Sequence, residues 1–156
     1  MTVDHREKAF EDAVVDALTV IRGEVSLEAP DAATTHLPGG YYRRRPEEYD
    51  RARCLIPRDV IDFITATQPR EWEKLKQRHG AQVKERFLAR LTQEVERRGT
   101  LEVLRRGIKD WGCKFRLAYF KPASSLNLEL QKLHAANIFS VVRQLRYSEK
   151  NENSLD

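Results

Sequence analysis

The last residue of the chain, Asp156, combines a reactive residue type with a suggestive position. It follows the alternating run "NIFSVVRQLRYS" and the polar turn "EKNEN". An acid after a strand and a polar turn is where metal-dependent nucleases place one carboxylate. One carboxylate is not enough, because Mg²⁺ needs two or more oxygen ligands and a lysine helps to orient the attacking water. From spacing alone, Asp156 is more simply interpreted as part of a polar chain end.

Several common catalytic and ligand-binding motifs do not occur in the sequence. There is no G-x-x-x-x-G-K-[ST] loop for a nucleoside triphosphate, and no G-x-S-x-G motif surrounds Ser124 or Ser125. Cys54 and Cys113 stand without a CxxC motif, which favours reduced, buried thiols over a disulfide between them. The histidines lack the spacing of metal ligands and are interpreted as surface or capping residues: His5, His36, His79 and His134.

The chain is mildly basic, with a formal net charge of +4 at pH 7. Such a charge permits contact with nucleic acid without showing it. The excess is concentrated in "YYRRRPEEYDRAR" at residues 41–53, where arginines lie between tyrosines, a combination that suits phosphates and bases. The same stretch contains Glu47, Glu48 and Asp50, which favours a solvated loop.

Composition predicts a soluble protein of one domain. Hydrophobic residues make up 40% and charged residues 33% of the 156 positions, enough to bury a core. No apolar run approaches the length of a membrane span, and "MTVDHREKAF" lacks the apolar block of a secretory signal. We therefore expect a cytoplasmic protein without a membrane partner. Trp72 and Trp111 are predicted to be packing residues.

The N-terminal and middle parts are predicted to be helical. An amphipathic first helix, ending near Gly23, is indicated by apolar residues at helical spacing: Phe10, Val14, Leu18 and Ile21. The following "GEVSLEA" is a candidate strand. Pro57 opens a helix over "RDVIDFITAT", and Gly80 ends another over "REWEKLKQRHG".

The next two helices are also marked by their sequence. The first has an apolar stripe of Val83, Phe87, Leu91 and Val95 and a water-facing set of Lys84, Arg90, Glu94 and Arg97. Gly99 can end it, Thr100 is predicted to cap "LEVLRRG", and Gly107 ends that helix in turn.

The C-terminal part changes from helical spacing to alternation. "CKFRLAYF" places Phe115, Leu117 and Tyr119 on one face, and "NIFSVVRQLRYS" alternates again. Between them, Asn127 is predicted to cap a short helix through His134. Helices followed by strands indicate an α/β or α+β fold. Its sheet is confined to the C-terminal end and incomplete, because two strands make a poor independent unit.

Long stretches of the chain resemble one protein family. "RRGTLEVLRRGIKDWGCKFRLAYFKPASSLN", followed by "NIFSVVRQLRYSEKNENSLD", is similar to the N-terminal region of the R (HsdR) subunits of type I restriction enzymes. "FEDAVVDAL" at residues 10–18 and "FITATQPREWEKL" at residues 63–75 resemble helices of that region. The resemblance covers most of the chain apart from roughly residues 26–50, where the connection is longer or more divergent than in the family.

The resemblance implies that residues 1–156 are the helical N-terminal part of a PD-(D/E)xK nuclease domain with an incomplete, restriction-endonuclease-like sheet. Asp156 matches the first catalytic carboxylate, a Mg²⁺ ligand. In family members the E-x-K pair and two ATP-dependent motor domains follow this point, so ATP would bind only outside this sequence. The implied partners are DNA and the methyltransferase and specificity subunits of a prokaryotic, cytoplasmic enzyme that hydrolyses DNA phosphodiesters.

Further site residues are weaker candidates. Related nuclease folds use a glutamate of the first core helix near the metal, which makes Glu11 a second candidate ligand, with a solvated helix residue as the favoured alternative. Lys109, Lys114 and Arg116 are candidate contacts to DNA phosphates or simply solvated cations. The predicted function is a nuclease fragment, expected to be inactive in isolation, or a non-catalytic remnant that binds DNA or the partner subunits.

Overall fold

The backbone mixes helices with very short strands. A computed structural model describes residues 5–19, 40–124, 126–143 and 145. The helices in these ranges are α1 (His5–Thr19), α2 (Pro57–Thr67), α3 (Pro69–His79), α4 (Val83–Arg98), α5 (Thr100–Arg106) and α6 (Leu128–Ala135). The strands are β1 (Tyr42–Arg44), β2 (Ile108–Asp110), β3 (Cys113–Phe115) and β4 (Ser140–Val142). The α+β character predicted from the sequence is confirmed in this general form.

Single 3₁₀ turns, Pro46–Glu48 and Gly80–Gln82, precede α2 and α4. Each helix in the described ranges falls short of the length or the apolar character needed to cross a lipid bilayer.

The strands pair into two sheets of two strands each. β1 pairs in parallel with β4, with Tyr42 opposite Ser140, and β2 pairs antiparallel with β3, with Ile108 opposite Phe115. The prediction of a sheet confined to the C-terminal end is therefore wrong, and so is the prediction of a loop for residues 42–44. β3 and β4 lie within the two alternating runs of the sequence. Their partners, β2 and β1, lie outside such runs, and three residues on their own are too few to show alternation.

Helices α2, α3 and α4 and the β2–β3 hairpin enclose the hydrophobic core. Phe87 and Phe115 are fully buried with ring centroids 5.0 Å apart, and Trp72 meets Phe87 edge-on at 5.5 Å. Aliphatic side chains fill the space around these rings: Ile61, Ile64, Leu75, Val83, Leu88, Leu91, Val103 and Ile108. The apolar stripe predicted for α4 and the packing role predicted for Trp72 are thus confirmed.

Proline and glycine mark the helix boundaries as predicted. Pro57 and Pro69 are the first residues of α2 and α3, where a missing N–H costs no helical hydrogen bond. Gly107 ends α5 with a φ of 69°. A Cβ at this position would lie 2.0 Å from the carbonyl oxygen of Phe115, so only glycine fits where α5 passes the end of β3.

The two predicted helix caps have different outcomes. Asn127 Oδ1 accepts a hydrogen bond from the backbone N–H of Leu130 at 3.0 Å, which confirms the cap of α6. The prediction that Thr100 caps α5 is wrong, because Thr100 is the first helical residue and Gly99 precedes the helix. Gly99 has a φ of 82°, which glycine adopts readily, and the chain turns there without a side-chain cap.

Helix α1 buries a different residue from the ones that its spacing predicts. Phe10 is 69% and Val14 41% exposed, whereas Val15 is only 4% exposed. The helix is joined to β1 by a hydrogen bond of 3.1 Å from the backbone N–H of Tyr41 to the carbonyl of Leu18. The predicted helix end near residue 23 and the candidate strand at residues 23–29 lie outside the described residues.

Glu94 of α4 is buried, contrary to the prediction that it faces water. It is 2% exposed and accepts hydrogen bonds from Arg97 at 2.8 and 3.0 Å and from Arg98 at 3.0 Å. The Arg90 guanidinium lies 3.0 Å away. The hydrogen bonds from Arg97 and then Arg98 lower the pKa of Glu94 to about 2. A carboxylate surrounded by three arginines can be buried as a charged group because its oxygens are satisfied.

The cysteines are both free, as predicted, but only one of them is buried. Cys113 lies in the buried face of β3, and burial raises the pKa of its thiol. Cys54 is exposed in the turn before α2, with a φ of 54°. The prediction of a buried thiol is therefore wrong for Cys54.

Candidate functional site

The predicted catalytic residue, Asp156, lies outside the described residues, as does the polar turn before it. The metal site expected there stays a prediction. Among the residues that the structure does describe, no three His, Cys, Asp or Glu side chains come together in a group that could hold a metal ion.

Glu11, the second predicted metal ligand, takes part in an ion pair between α1 and the end of β4. Its Oε2 accepts hydrogen bonds from Nη2 of Arg143 at 2.6 Å and from Nε at 3.2 Å. Asp12 accepts a hydrogen bond from Nη1 of the same guanidinium. We call these three residues the Arg143 cluster. Arg143 directly follows β4, so the cluster fixes the first helix beside the strand that leads towards Asp156 in the sequence.

The environment of Glu11 suits a guanidinium better than a metal ion. Its carboxylate is half-buried and pairs with Arg143, a guanidinium that it shares with Asp12, and the positive charge beside its oxygens would oppose a cation there. Glu11 is thus paired with Arg143 and is not a merely solvated helix residue, while its role as a metal ligand stays a prediction. Sequence reasoning missed Arg143, because an arginine in an alternating run gives no signal of a distant partner.

A second buried polar cluster joins β1, α2 and β4. Asp59 is 8% exposed and accepts two hydrogen bonds at Oδ1 from Arg44, at 2.7 Å from Nη2 and at 3.0 Å from Nε. The hydroxyl of Ser140 donates to Oδ2 of the same carboxylate. We call Asp59, Arg44 and Ser140 the Asp59 cluster. Because Arg44 and Ser140 belong to the two paired strands, the cluster fastens that sheet to α2.

The predicted DNA contacts Lys109 and Lys114 are brought together by the β2–β3 hairpin. They lie directly opposite each other on its exposed face. Like charges in this position destabilise a strand pair, and neither lysine forms an ion pair with an acid of the described residues. Arg116 follows β3 with an exposed side chain, while its backbone N–H donates to Oε1 of Gln68 at 2.7 Å.

Trp111 forms the turn of this hairpin and is exposed, so the prediction of a packing role is wrong. It is 64% exposed. Both turn residues have positive φ, 46° for Trp111 and 81° for Gly112, as a type I′ turn requires. Asn, Asp or Gly suits the first position, and a tryptophan there costs about 1–2 kcal/mol of backbone strain. Gly112, directly before the alternating run, is the sequence feature that indicates a turn here.

Basic and polar side chains surround the Trp111 ring. The Arg78 guanidinium lies over the ring, 5.6 Å from its centroid, and the His79 imidazole meets it edge-on at 6.0 Å. Together with Gln82 and Arg86, these residues line an open cleft of about 300 Å³. None of the described residues that line this cleft is acidic. The arrangement can accept an anion next to an exposed aromatic ring.

The described residues form a mixed α+β fold that carries a basic hairpin with an exposed tryptophan at its tip. Comparison of the chain with models of protein families, with curated proteins and with solved structures gives no match. The R-subunit assignment therefore stands on the resemblance of the sequence alone.

Proposed function

We propose that the chain is the N-terminal part of the R subunit of an ATP-dependent type I restriction endonuclease, a cytoplasmic prokaryotic enzyme that cleaves DNA. The proposal is supported by the sequence similarity of residues 97–127 and 137–156 to that family. The α+β character of the described residues is compatible with the PD-(D/E)xK fold that the resemblance implies.

The sequence resemblance carries the proposal, and the structural feature that it draws on is the Arg143 cluster. It holds an acidic pair of α1, Glu11 and Asp12, at the end of β4. The sequence continues from there to Asp156. In the proposed nuclease, the cluster positions the first helix against the strand that leads to the catalytic acid, and Glu11 acts through Arg143 as a positioning residue.

Asp156 is the proposed Mg²⁺ ligand. When bound, the metal supplies an activated water and neutralises charge on the phosphate. The resemblance implies that a glutamate and a lysine further along the R subunit complete the site. It also implies motor domains that use ATP, and methyltransferase and specificity subunits that direct the enzyme to DNA.

The proposal is tested by deleting residues 1–156 from the full-length R subunit and reconstituting the enzyme with its methyltransferase and specificity subunits. We expect the undeleted enzyme to convert a supercoiled plasmid to the linear form only with ATP and Mg²⁺. The deleted enzyme should hydrolyse ATP without cutting DNA, because the motor and the nuclease occupy different parts of the subunit. Plasmid cleavage by the deleted enzyme would refute the assignment.

A non-catalytic role in binding DNA or the partner subunits is the alternative function. It is favoured by the unneutralised lysines of the β2–β3 hairpin and by the exposed Trp111 beside them. In either case the isolated polypeptide is expected neither to nick DNA nor to hydrolyse ATP. Mg²⁺-dependent nicking by the purified chain would contradict this expectation.

A further inference from the structure

We propose that the tip of the β2–β3 hairpin binds an unpaired base of single-stranded DNA, with the base stacked on Trp111 and the adjoining phosphates held by Arg78 and Arg86. The inference deepens the proposed function and rests on it for one point, that DNA is the polymer this protein meets. The contacts and exposures that support it involve described residues only.

The Trp111 indole is placed as a stacking surface. Arg78 lies over the ring at 5.6 Å and His79 meets it at 76° between ring planes, while the residue stays 64% exposed. A ring supported by an arginine on one face offers its other face to a base, and every base has a π face. Trp111 lies between β2 and β3, which places it in the turn of the hairpin and outside the core.

The charges around Trp111 favour an anionic polymer. Arg78, His79 and Arg86 line the adjoining cleft together with the neutral Gln82, and no acid is among its described lining residues. Lys109 and Lys114 oppose each other on the same hairpin. A phosphate backbone that follows the hairpin would relieve the repulsion between these lysines and would occupy the arginine cleft.

Two acids beside Trp111, one in an adjoining cleft and one next to it in the sequence, are paired or buried. Glu71 lines a second cleft beside Trp111 and pairs with Lys74 at 2.7 Å. The hydrogen bond from Lys74 lowers the pKa of Glu71, so this carboxylate stays ionised within its pair. Asp110 is 8% exposed and lies in the buried face of β2. Neither carboxylate presents an open negative surface to an approaching phosphate.

An unpaired strand fits the site better than a duplex. A tryptophan at a hairpin tip can stack only on a base whose face is uncovered, and the bases of a duplex cover one another. The cleft of about 300 Å³ lies at the small end of the range for ligand pockets, which suits one nucleotide at a time.

The test is the binding of a fluorescein-labelled oligothymidylate of about 20 nucleotides, a length that spans a typical single-strand site. Fluorescence anisotropy is measured on the full chain at low salt in EDTA. Trp111→Ala should weaken binding roughly tenfold, the effect of losing one stacked base. Replacing Lys109 and Lys114 together by alanine should lower the slope of log K against log salt by about 1.4, as for two lost phosphate contacts.

Phe120→Ala is the matched control, because Phe120 is 63% exposed and lies outside the hairpin. It should bind like the wild type. Trp72 is buried, so quenching of tryptophan emission on binding should come from Trp111 and disappear in Trp111→Phe. If circular dichroism shows that Trp111→Ala unfolds, the Arg78→Ala, Arg86→Ala double variant takes its place with the same expected loss of affinity.

Several results would overturn the inference: wild-type affinity in Trp111→Ala, no binding by the wild-type chain, or tighter binding of the matching duplex. A protein partner that needs Trp111, in the absence of any oligonucleotide binding, would also overturn it. The measurement requires neither Mg²⁺ nor cleavage. If the oligonucleotide does not bind, the nuclease proposal still stands. If the nuclease proposal fails, a measured affinity for the oligonucleotide is unchanged.

Discussion

At the scale of the residue, Glu94 organises the junction between α4 and α5. Arg98 Nη1 donates to Glu94 at 3.0 Å and also to the carbonyl of Gly107, at the end of α5, at 3.0 Å. Glu94 thus positions Arg98, whose guanidinium also donates to the Gly107 carbonyl directly after α5. Removing the charge should affect both helices, since three arginines would lose their counterion.

Glu94→Gln is expected to lower the free energy of unfolding by roughly 1–3 kcal/mol, because strong charge-assisted hydrogen bonds become weaker ones. Glu96→Gln, on the exposed face of the same helix, should change it by less than about 0.5 kcal/mol. Urea denaturation at neutral pH measures both. Equal free energies of unfolding for the two variants would show that the charge of Glu94 does not stabilise the fold.

The pH dependence of stability offers an independent check on Glu94. Its pKa is about 2 in the folded protein against an ordinary value of 4.5. The stabilisation is therefore fully present above about pH 4.5 and is lost as the pH falls towards 2. In that window the wild type should lose more stability than Glu94→Gln. An equal loss of unfolding free energy in the two proteins between pH 4.5 and pH 2 would contradict the lowered pKa of Glu94.

At the scale of the element, the Asp59 cluster joins parts of the chain that are far apart in sequence. Arg44 comes from β1, Asp59 from α2 and Ser140 from β4. Within the described residues, the sheet that it secures has three residue pairs, too few for independent stability. Its strands are therefore expected to depend on this carboxylate for their attachment to α2.

Asp59→Ala is expected to destabilise the protein by roughly 3 kcal/mol, because it leaves a largely buried arginine without a counterion. Asp62→Ala is the matched control, since Asp62 lies on the same helix and pairs with Arg58 at 3.5 Å on the surface. Its effect should stay within about 0.5 kcal/mol. Chemical denaturation distinguishes the two, and similar losses would contradict a special role for Asp59.

The helices could be predicted from the sequence and the strand pairing could not. Pro57, Pro69, Gly80 and Gly107 act through their own backbone restrictions, which are local and readable. The partner of β4 lies at residues 42–44, and nothing within those residues signals a distant parallel strand. The burial of Glu94 and the exposure of Trp111 likewise depend on neighbours from other elements.

At the scale of the whole molecule, the candidate site residues that the structure describes fall into two groups. Glu11 belongs to the Arg143 cluster at the β1–β4 sheet, whereas Lys109 and Lys114 belong to the β2–β3 hairpin. The sequence shows only the charge of these lysines, and their direct opposition depends on the pairing of β2 with β3. In the proposed enzyme, the first group supports cleavage and the second holds a DNA strand.

DNA cleavage per ATP hydrolysed, measured with Asp156→Ala in the full-length R subunit of the reconstituted enzyme, tests the central claim most directly. We predict that cleavage falls about 100-fold or more while ATP hydrolysis is unchanged, because the variant removes a proposed metal ligand. Asp16→Ala, an exposed acid of α1, should leave both rates unchanged. Wild-type cleavage by Asp156→Ala would contradict the account.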